Sequence, residues 1–483
     1  MTRLPASPYR LSLLMLCGPF YVMLVLMVVE ALLSAATTWL VIRAGRDVAN
    51  NQFLLRDLLW ILAAQSTSYA VGAVSWIFAE RAGFLAFGRY MMKFARDNRQ
   101  ETRLLNDRDA RERVEPFLTG ETFYVYFHLL YELEGDLRLL LSLVFNAIVL
   151  GVEIDASLPM AYATVLALLF GLQWTMRKRV ANAYLENQRM QNRVTSQGYT
   201  AWDNVFTGNR YNLRLWLAGF KTKLRDSLDA QIKAIMTKEG LSAVSAILGL
   251  SIIFGTMVVI ASRNAGNFEL LVALAATLPR QIEMTHSVHE FTSGWNDLLA
   301  VWARVGGVAN NMYPTPDPHF DARIKFDRLI LREGENTSTV GTLDQAMQLI
   351  FAQPTGRVNV RGANGSGKST LLTSLKLQVK NRAYYWPTAD RLSFQFTQGL
   401  EPEEIDGDVA AKPAADGKKP GFSSGERQIR ALQEIVRHTD APVYLLDEWD
   451  ANLDPNNRAA AEALVQELAQ RARVVEISHR DRV

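Results

Sequence analysis

Residues 357–372 read RVNVRGANGSGKSTLL, and within them Gly362-Ala363-Asn364-Gly365-Ser366-Gly367-Lys368-Ser369 has the spacing Gly-x4-Gly-Lys-Ser. Glycines at these places let the backbone curl until its N–H groups face an anion. The N-terminus of the helix that follows adds positive potential. The flanks agree: RVNV reads as a buried strand and STLLTSLKLQV as a helix, the strand–loop–helix context that makes this spacing credible. The chemistry is the holding of nucleotide phosphates. Lys368 is expected to reach the β- and γ-phosphates, and the Ser369 hydroxyl, with Thr370 beside it, to ligate Mg2+.

A second element, APVYLLDEWDANLDP, lies at 441–455. An apolar strand from Val443 to Leu446 ends in Asp447-Glu448. Asp447 is placed to hold Mg2+ through water, and Glu448 to orient or activate an attacking water. An acidic pair after an apolar strand is common. Its position about eighty residues beyond the glycine-rich loop is what marks it.

The elements that must position these residues make up a long chain. At 483 residues there is room for two or three domains. The mean hydropathy of +0.00 averages over a split: long apolar runs fill the first three hundred residues, and the rest reads as a soluble α/β domain. A net charge of +3 is too small to imply nucleic acid. The single cysteine, Cys17, excludes a disulfide framework within one chain and fits soluble parts in a reducing cytoplasm.

Six stretches are candidate membrane spans, at about 15–42, 57–80, 137–153, 157–176, 239–262 and 268–292, of which the third is short and the sixth is apolar only in its first half. The first is too long for a cleaved signal peptide. Loops alternate short and long. The long ones, at about 81–135 and 177–238, carry Arg81, Arg89, Lys93, Arg96, Arg99 and Arg103, then Arg177, Lys178, Arg179, Lys221, Lys223 and Arg225. Basic loops stay cytoplasmic, so both termini and the nucleotide motif are expected there, in a bacterial-type inner membrane. Helical spacing in the long loops extends the membrane helices into the cytoplasm. Residues 304–323, RVGGVANNMYPTPDPHFDAR, read as a linker, and 401–421 as a mobile loop.

The stretch FSSGERQIRALQEI, with Ser423, Ser424, Gly425 and Glu426, resembles the signature of ATP-binding cassette (ABC) proteins. ANLD, ending at Asp454, resembles that family's D-loop, and His479 in VVEISHR its switch histidine. The motifs come in family order, and the layout of spans followed by a cassette resembles a half-size ABC exporter. The resemblance implies a multi-domain fold: an all-α six-helix transmembrane domain at 1–303, the linker at 304–323, and an α/β P-loop NTPase cassette at 324–483 with a reduced helical subdomain. It implies a homodimer, or a pair with a related half-transporter, with Mg·ATP between the glycine-rich loop of one chain and Ser423 and the Gly425 N–H of the other. Asp454 would line that seam, and His479 would contact the γ-phosphate. Departures from the family pattern are Ser424 and Glu426 in the signature, a Q-loop residue that is either Thr388 or one of Gln395 and Gln398, and Arg332 where an adenine-stacking aromatic is expected. The chain also stops soon after His479, which reads as a trimmed cassette.

In the spans, Glu30 and the series Arg280, Glu283, His286, His289 and Glu290 either line a polar path or mark the membrane boundary. A metal site made from the last four residues lacks a supporting cluster. Gly208-Asn209 is a turn, and residues near 203–212 are expected to transmit the ATP cycle. The expected function is ATP-driven export of peptide-like or other amphipathic small molecules across a lipid bilayer. A peptide importer of the same layout and a non-transporting, membrane-anchored ATPase are the competing readings.

Overall fold

A computed structural model describes residues 6–52, 54–388, 392–398, 423–451 and 453–478. The chain divides into two compact units. One comprises Pro5–Met92 and Phe117–Met312; the other is built on Lys93–Pro116 and the residues from Tyr313 onward.

The first unit is helical. Its elements are α1 (Pro8–Ser12), α2 (Gly18–Ala49), most of α3 (Leu55–Asn98), α5 (Thr122–Glu153), α6 (Ser157–Tyr199), α7 (Ala201–Phe206), α8 (Arg210–Arg263), α9 (Phe268–Ala276) and α10 (Leu278–Asn311). Helix α2 shows why the pattern folds this way. Phe20, Met23, Met27, Ala31, Ala35, Thr38 and Ile42 recur at steps of three or four and are buried, while Val25 and Leu32 on the other faces are exposed. A helix apolar on every face suits lipid. Helices α2, α3, α5, α6 and α8 are long and apolar enough to cross a membrane. Helix α8 runs 54 residues, about 80 Å at 1.5 Å per residue, so the long basic loop does continue as helix. Gly208, at φ 70°, makes the turn between α7 and α8.

Two expectations are corrected here. The sixth expected span, 268–292, is not one long apolar helix: it is the nine-residue α9 and the start of α10. Pro279 occupies the first turn of α10, where its missing N–H costs nothing, and Arg280, Glu283 and Glu290 follow it. The expected linker is also shorter, because α10 continues to Asn311. Gly306 and Gly307 each cost a helix about 1 kcal/mol, but Val305, Val308 and Ala309 beside them are each only 1% exposed.

The second unit holds a six-stranded mixed sheet of β1 (Leu329–Glu333), β2 (Asn336–Thr339), β3 (Gly356–Gly362), β4 (Ala383–Trp386), β5 (Val443–Asp447) and β6 (Arg473–Ile477), in the order β2-β1-β3-β6-β5-β4. Strands β3, β6, β5 and β4 are parallel, and the β1–β2 hairpin adds an antiparallel edge. Strands β5 and β6 are buried along their whole length, as expected of a parallel sheet covered on both faces. One face packs with α11 (Leu343–Ile350) and α12 (Lys368–Val379), through Ala346, Ile350, Leu371, Leu372 and Leu375. The other packs with α14 (Ser424–His438) and α15 (Pro455–Arg471), through Leu432, Ile435, Val465 and Leu468. Residues 93–116, with α4 (Arg108–Pro116), belong to this unit. Thr102 donates to the Thr373 carbonyl at 3.2 Å and Asn106 to the Thr373 hydroxyl at 2.9 Å, against α12. The short α13 (Gln395–Gln398) completes the described helices.

Candidate nucleotide site

The glycine-rich loop joins the end of β3 to the start of α12. Gly367 has φ 88°, and a Cβ there would meet the Arg323 carbonyl oxygen at 2.6 Å and the Ile324 Cα at 2.8 Å. Both are backbone atoms, so the position admits only glycine. Gly365, at φ 76°, needs glycine for its conformation alone. A Cβ at Gly362 would meet the Arg328 carbonyl oxygen at 2.6 Å. Asn364 lies between these glycines, and Ser366 is buried with its hydroxyl unpartnered. Lys368 Nζ lies over the loop, donating to the Gly362 carbonyl at 2.8 Å and the Ala363 carbonyl at 3.3 Å.

Ser369 donates to Asp447 Oδ1 at 3.1 Å. A hydroxyl and a buried carboxylate at this distance are oxygen donors of the kind Mg2+ selects. The fit to Mg·ATP rests on that pair, on the loop that only glycine can form, and on the buried Ser366 hydroxyl. Thr370 follows in the first turn of α12. Glu448 comes directly after β5 with φ 53°, and its N–H bonds the Ile477 carbonyl at 3.0 Å. The Tyr385 hydroxyl, near Asp447 and Thr373, has its pKa pushed up to about 12 by burial and by the Asp447 carboxylate.

Two residues considered for the Q-loop position, Thr388 and Gln395, make different contacts. Thr388 donates to the Asp447 backbone carbonyl at 3.4 Å. Gln395 sits on α13, where its N–H bonds Glu434 of α14 at 2.8 Å. Arg332, on β1, donates to the Gly334 carbonyl at 3.1 Å.

Ser423 caps α14. Its hydroxyl accepts the Glu426 N–H at 3.3 Å, and Glu426 accepts the Ser423 N–H at 2.9 Å, a reciprocal capping box. The acidic residue in the signature is therefore a helix cap, held ionised by the Ser423 backbone and hydroxyl, which lower its pKa. The Ser-x-x-Glu spacing carried that signal in the sequence. Gly425 is buried in the first turn. Asp454 likewise caps α15, accepting the Asn456 and Asn457 N–H groups at 3.0 and 2.9 Å. His479 lies outside the described residues.

In the helical unit, Arg280 of α10 donates to Thr38 of α2 at 3.2 Å, to Asn146 of α5 at 3.3 Å and to Glu283 at 2.7 Å. Both carboxylate oxygens of Glu30 of α2 accept from Arg138 Nη1 of α5, at 2.5 and 2.7 Å. Ser242 and His289 Nε2 are 2.5 Å apart, and His286 pairs with Glu290 at 3.1 Å. Arg280 and Glu30 are thus built into polar seams between helices. Among the described residues no group of three or more His, Cys, Asp or Glu is arranged to hold a metal ion.

No family model matches the chain. It is similar to the thiamine import ATP-binding protein ThiQ of Rhizobium meliloti (strain 1021), at 31% identity over 161 residues, or 31% of this chain and 66% of that protein. The chain thus spans just under two thirds of that relative's length. This partial likeness, together with five apolar helices able to cross a membrane, is compatible with the ABC transporter that the motifs resemble.

Proposed function

We propose that the chain is an ATP-driven membrane transporter, working as a homodimer that exports peptide-like or other amphipathic molecules, with its nucleotide unit in the cytoplasm of a bacterial-type cell. The observation that carries the ATPase reading is the convergence of the glycine-only loop, Lys368, the Ser369–Asp447 pair and Glu448 at the C-terminal ends of the parallel strands β3 and β5. The likeness to an ATP-binding protein supports it. Bound Mg2+ would neutralise phosphate charge. Ser369 and Asp447 would hold it, with Thr388 steadying the backbone of Asp447. The loop N–H groups and Lys368 would bind the phosphates, and the Glu448 carboxylate would orient water for attack on the γ-phosphate. A second copy would add Ser423 and the Gly425 N–H, with Asp454 at the same seam and His479 contacting the γ-phosphate.

The dimer reading is supported by the tip of the α6–α8 hairpin. Tyr199, Trp202, Phe206 and Tyr211 are 82%, 71%, 69% and 74% exposed. We assign these exposed aromatic residues on one turn to docking on the nucleotide unit of the second copy. Export, rather than the import in the name of the similar protein, follows the layout of spans and cassette in one chain.

The test is reconstitution of the full chain in lipid vesicles. Mg·ATP hydrolysis should fall at least about 100-fold in Glu448→Gln while Mg·ATP binding persists. ATP-dependent accumulation of an amphipathic peptide on the side away from the nucleotide unit supports export, and accumulation on the opposite side supports import. Hydrolysis that moves no solute and responds to none would point to a non-transporting ATPase.

A further inference from the structure

On the face of the sheet that packs under α14 and α15, β3 and β6 carry a polar cluster beside the apolar layer. Glu476 of β6 is 1% exposed, and four donors saturate its carboxylate. Oε1 accepts Arg357 Nε at 2.6 Å and Asn359 Nδ2 at 3.2 Å; Oε2 accepts Arg357 Nη2 at 2.6 Å and Trp449 Nε1 at 2.8 Å. Arg357 also pairs with Glu462 of α15, and its guanidinium lies 5.7 Å from the centre of the Trp449 ring. Burial opposes the charge of Arg357, and the two carboxylates more than offset that, so its pKa is raised.

A buried ion pair is a poor source of stability, since apolar residues of like volume usually serve as well or better. What this one does supply is a fixed hydrogen-bond acceptor. Trp449 directly follows Glu448, and Glu448 holds a left-handed backbone that non-glycine residues avoid. Two consecutive residues of β6 bracket it. The Ile477 carbonyl holds the Glu448 N–H at 3.0 Å, and the Glu476 carboxylate holds the indole of the next residue. From α14, Gln428 reaches the Glu448 carbonyl at 3.5 Å.

We infer that Trp449, Glu476 and Arg357 are positioning residues that pin the left-handed turn at Glu448 and so aim its carboxylate. This rests on the reading of Glu448 as the residue that orients water. The linkage runs from β3, ahead of the phosphate loop, through β6 to the end of β5, so the strands that carry the site also set its geometry.

The experiment uses the full chain in vesicles and the variant Trp449→Phe, which keeps an aromatic ring and removes the indole N–H. Glu476 stays paired with Arg357, so the charge balance of the core is preserved. Displacing a catalytic group by about 1 Å costs on the order of 100-fold in rate. The expected result is a kcat at least about tenfold lower, with the Kd for a Mg-bound, non-hydrolysable ATP analogue within about twofold of the parent. Val465→Ala is the control: Val465 is fully buried in the same apolar layer, and its truncation should lower the thermal midpoint while kcat changes less than about twofold. A Trp449→Phe enzyme with unchanged kcat overturns the inference. So does one whose kcat and affinity fall together, or a Val465→Ala enzyme that loses kcat equally. Failure of the parent reading shows separately, as a Glu448→Gln enzyme that hydrolyses Mg·ATP normally.

Discussion

Ser369 Oγ and Asp447 Oδ1 stand 3.1 Å apart, the hydroxyl donating to the carboxylate, although 78 positions separate the two residues in the chain. Strand β6 lies between the strands that deliver them. The contact therefore depends on the parallel register Val443↔Arg473 and Gly356↔Arg473, which aligns the ends of β5 and β3. If these oxygens hold Mg2+, Ser369→Ala removes one ligand and leaves the phosphate loop intact. The expected outcome is a rise of about tenfold or more in the Mg2+ concentration that half-saturates ATP hydrolysis, as found when a metal site loses a supporting group. A Mg2+ titration of the ATPase rate at saturating ATP checks it.

The two loop glycines should differ in cost. At Gly365 a Cβ meets nothing within 4 Å, so Gly365→Ala adds only left-handed strain, about 1–2 kcal/mol. At Gly367 the same strain adds to a collision with backbone at 2.6 Å and 2.8 Å. Gly367→Ala should therefore lower the thermal midpoint of the nucleotide unit more than Gly365→Ala does. Equal shifts in differential scanning calorimetry would contradict the close approach of Arg323.

Much of the local structure around the candidate site was legible because its signals are local. A run of glycines, a lysine and an apolar strand ending in Asp-Glu each specify their own short geometry. The strand at 357–360, the helix at 369–379 and the turn at Gly208 were all read from such spacing. What escaped depends on distant partners. Arg357 reads as the polar position of an alternating strand until Glu476 and Glu462 are folded against it. Thr102 and Asn106 look like loop residues, and only the fold sets them on Thr373. The 268–292 stretch was legible as apolar only in its first half, but the break at Thr277 between α9 and α10 was not.

Acid should act on the edge of the sheet. Arg473 is 1% exposed and donates to Glu333 Oε1 and Oε2 at 2.5 and 2.9 Å, and to the Ile350 and Thr355 carbonyls at 2.5 and 2.9 Å. The hydrogen bond from Arg473 holds the Glu333 pKa below its ordinary value. A carboxylate whose folded pKa is depressed stabilises fully above its unfolded pKa, about 4.3 for Glu. That stability is lost as pH falls through the folded value. Parent protein should then be more thermally stable than Glu333→Gln at neutral pH. The gap should shrink below about pH 4, where Glu333 protonates. Thermal midpoints measured from pH 7 to pH 3 decide it, and a gap that stays constant across that range would show that the ion pair contributes no proton linkage.

The aromatic tip of the α6–α8 hairpin tests the coupling between copies. Trp202 and Phe206 lie against each other with ring centres 4.4 Å apart and planes tilted by 48°, while staying mostly exposed. A stable single chain gains little from such a pair, since both rings remain in water. A docking partner would gain their apolar area, and buried aromatic anchors dominate interfaces. Trp202→Ala combined with Phe206→Ala should therefore leave folding and Mg·ATP binding unchanged. In vesicles it should lower ATP-dependent solute movement at least about tenfold, the loss expected when hot-spot side chains are truncated. Because both residues lie outside the nucleotide site, an ATPase that keeps running while transport fails would identify this turn as the transmitting element, whereas full transport by the double variant would assign transmission elsewhere.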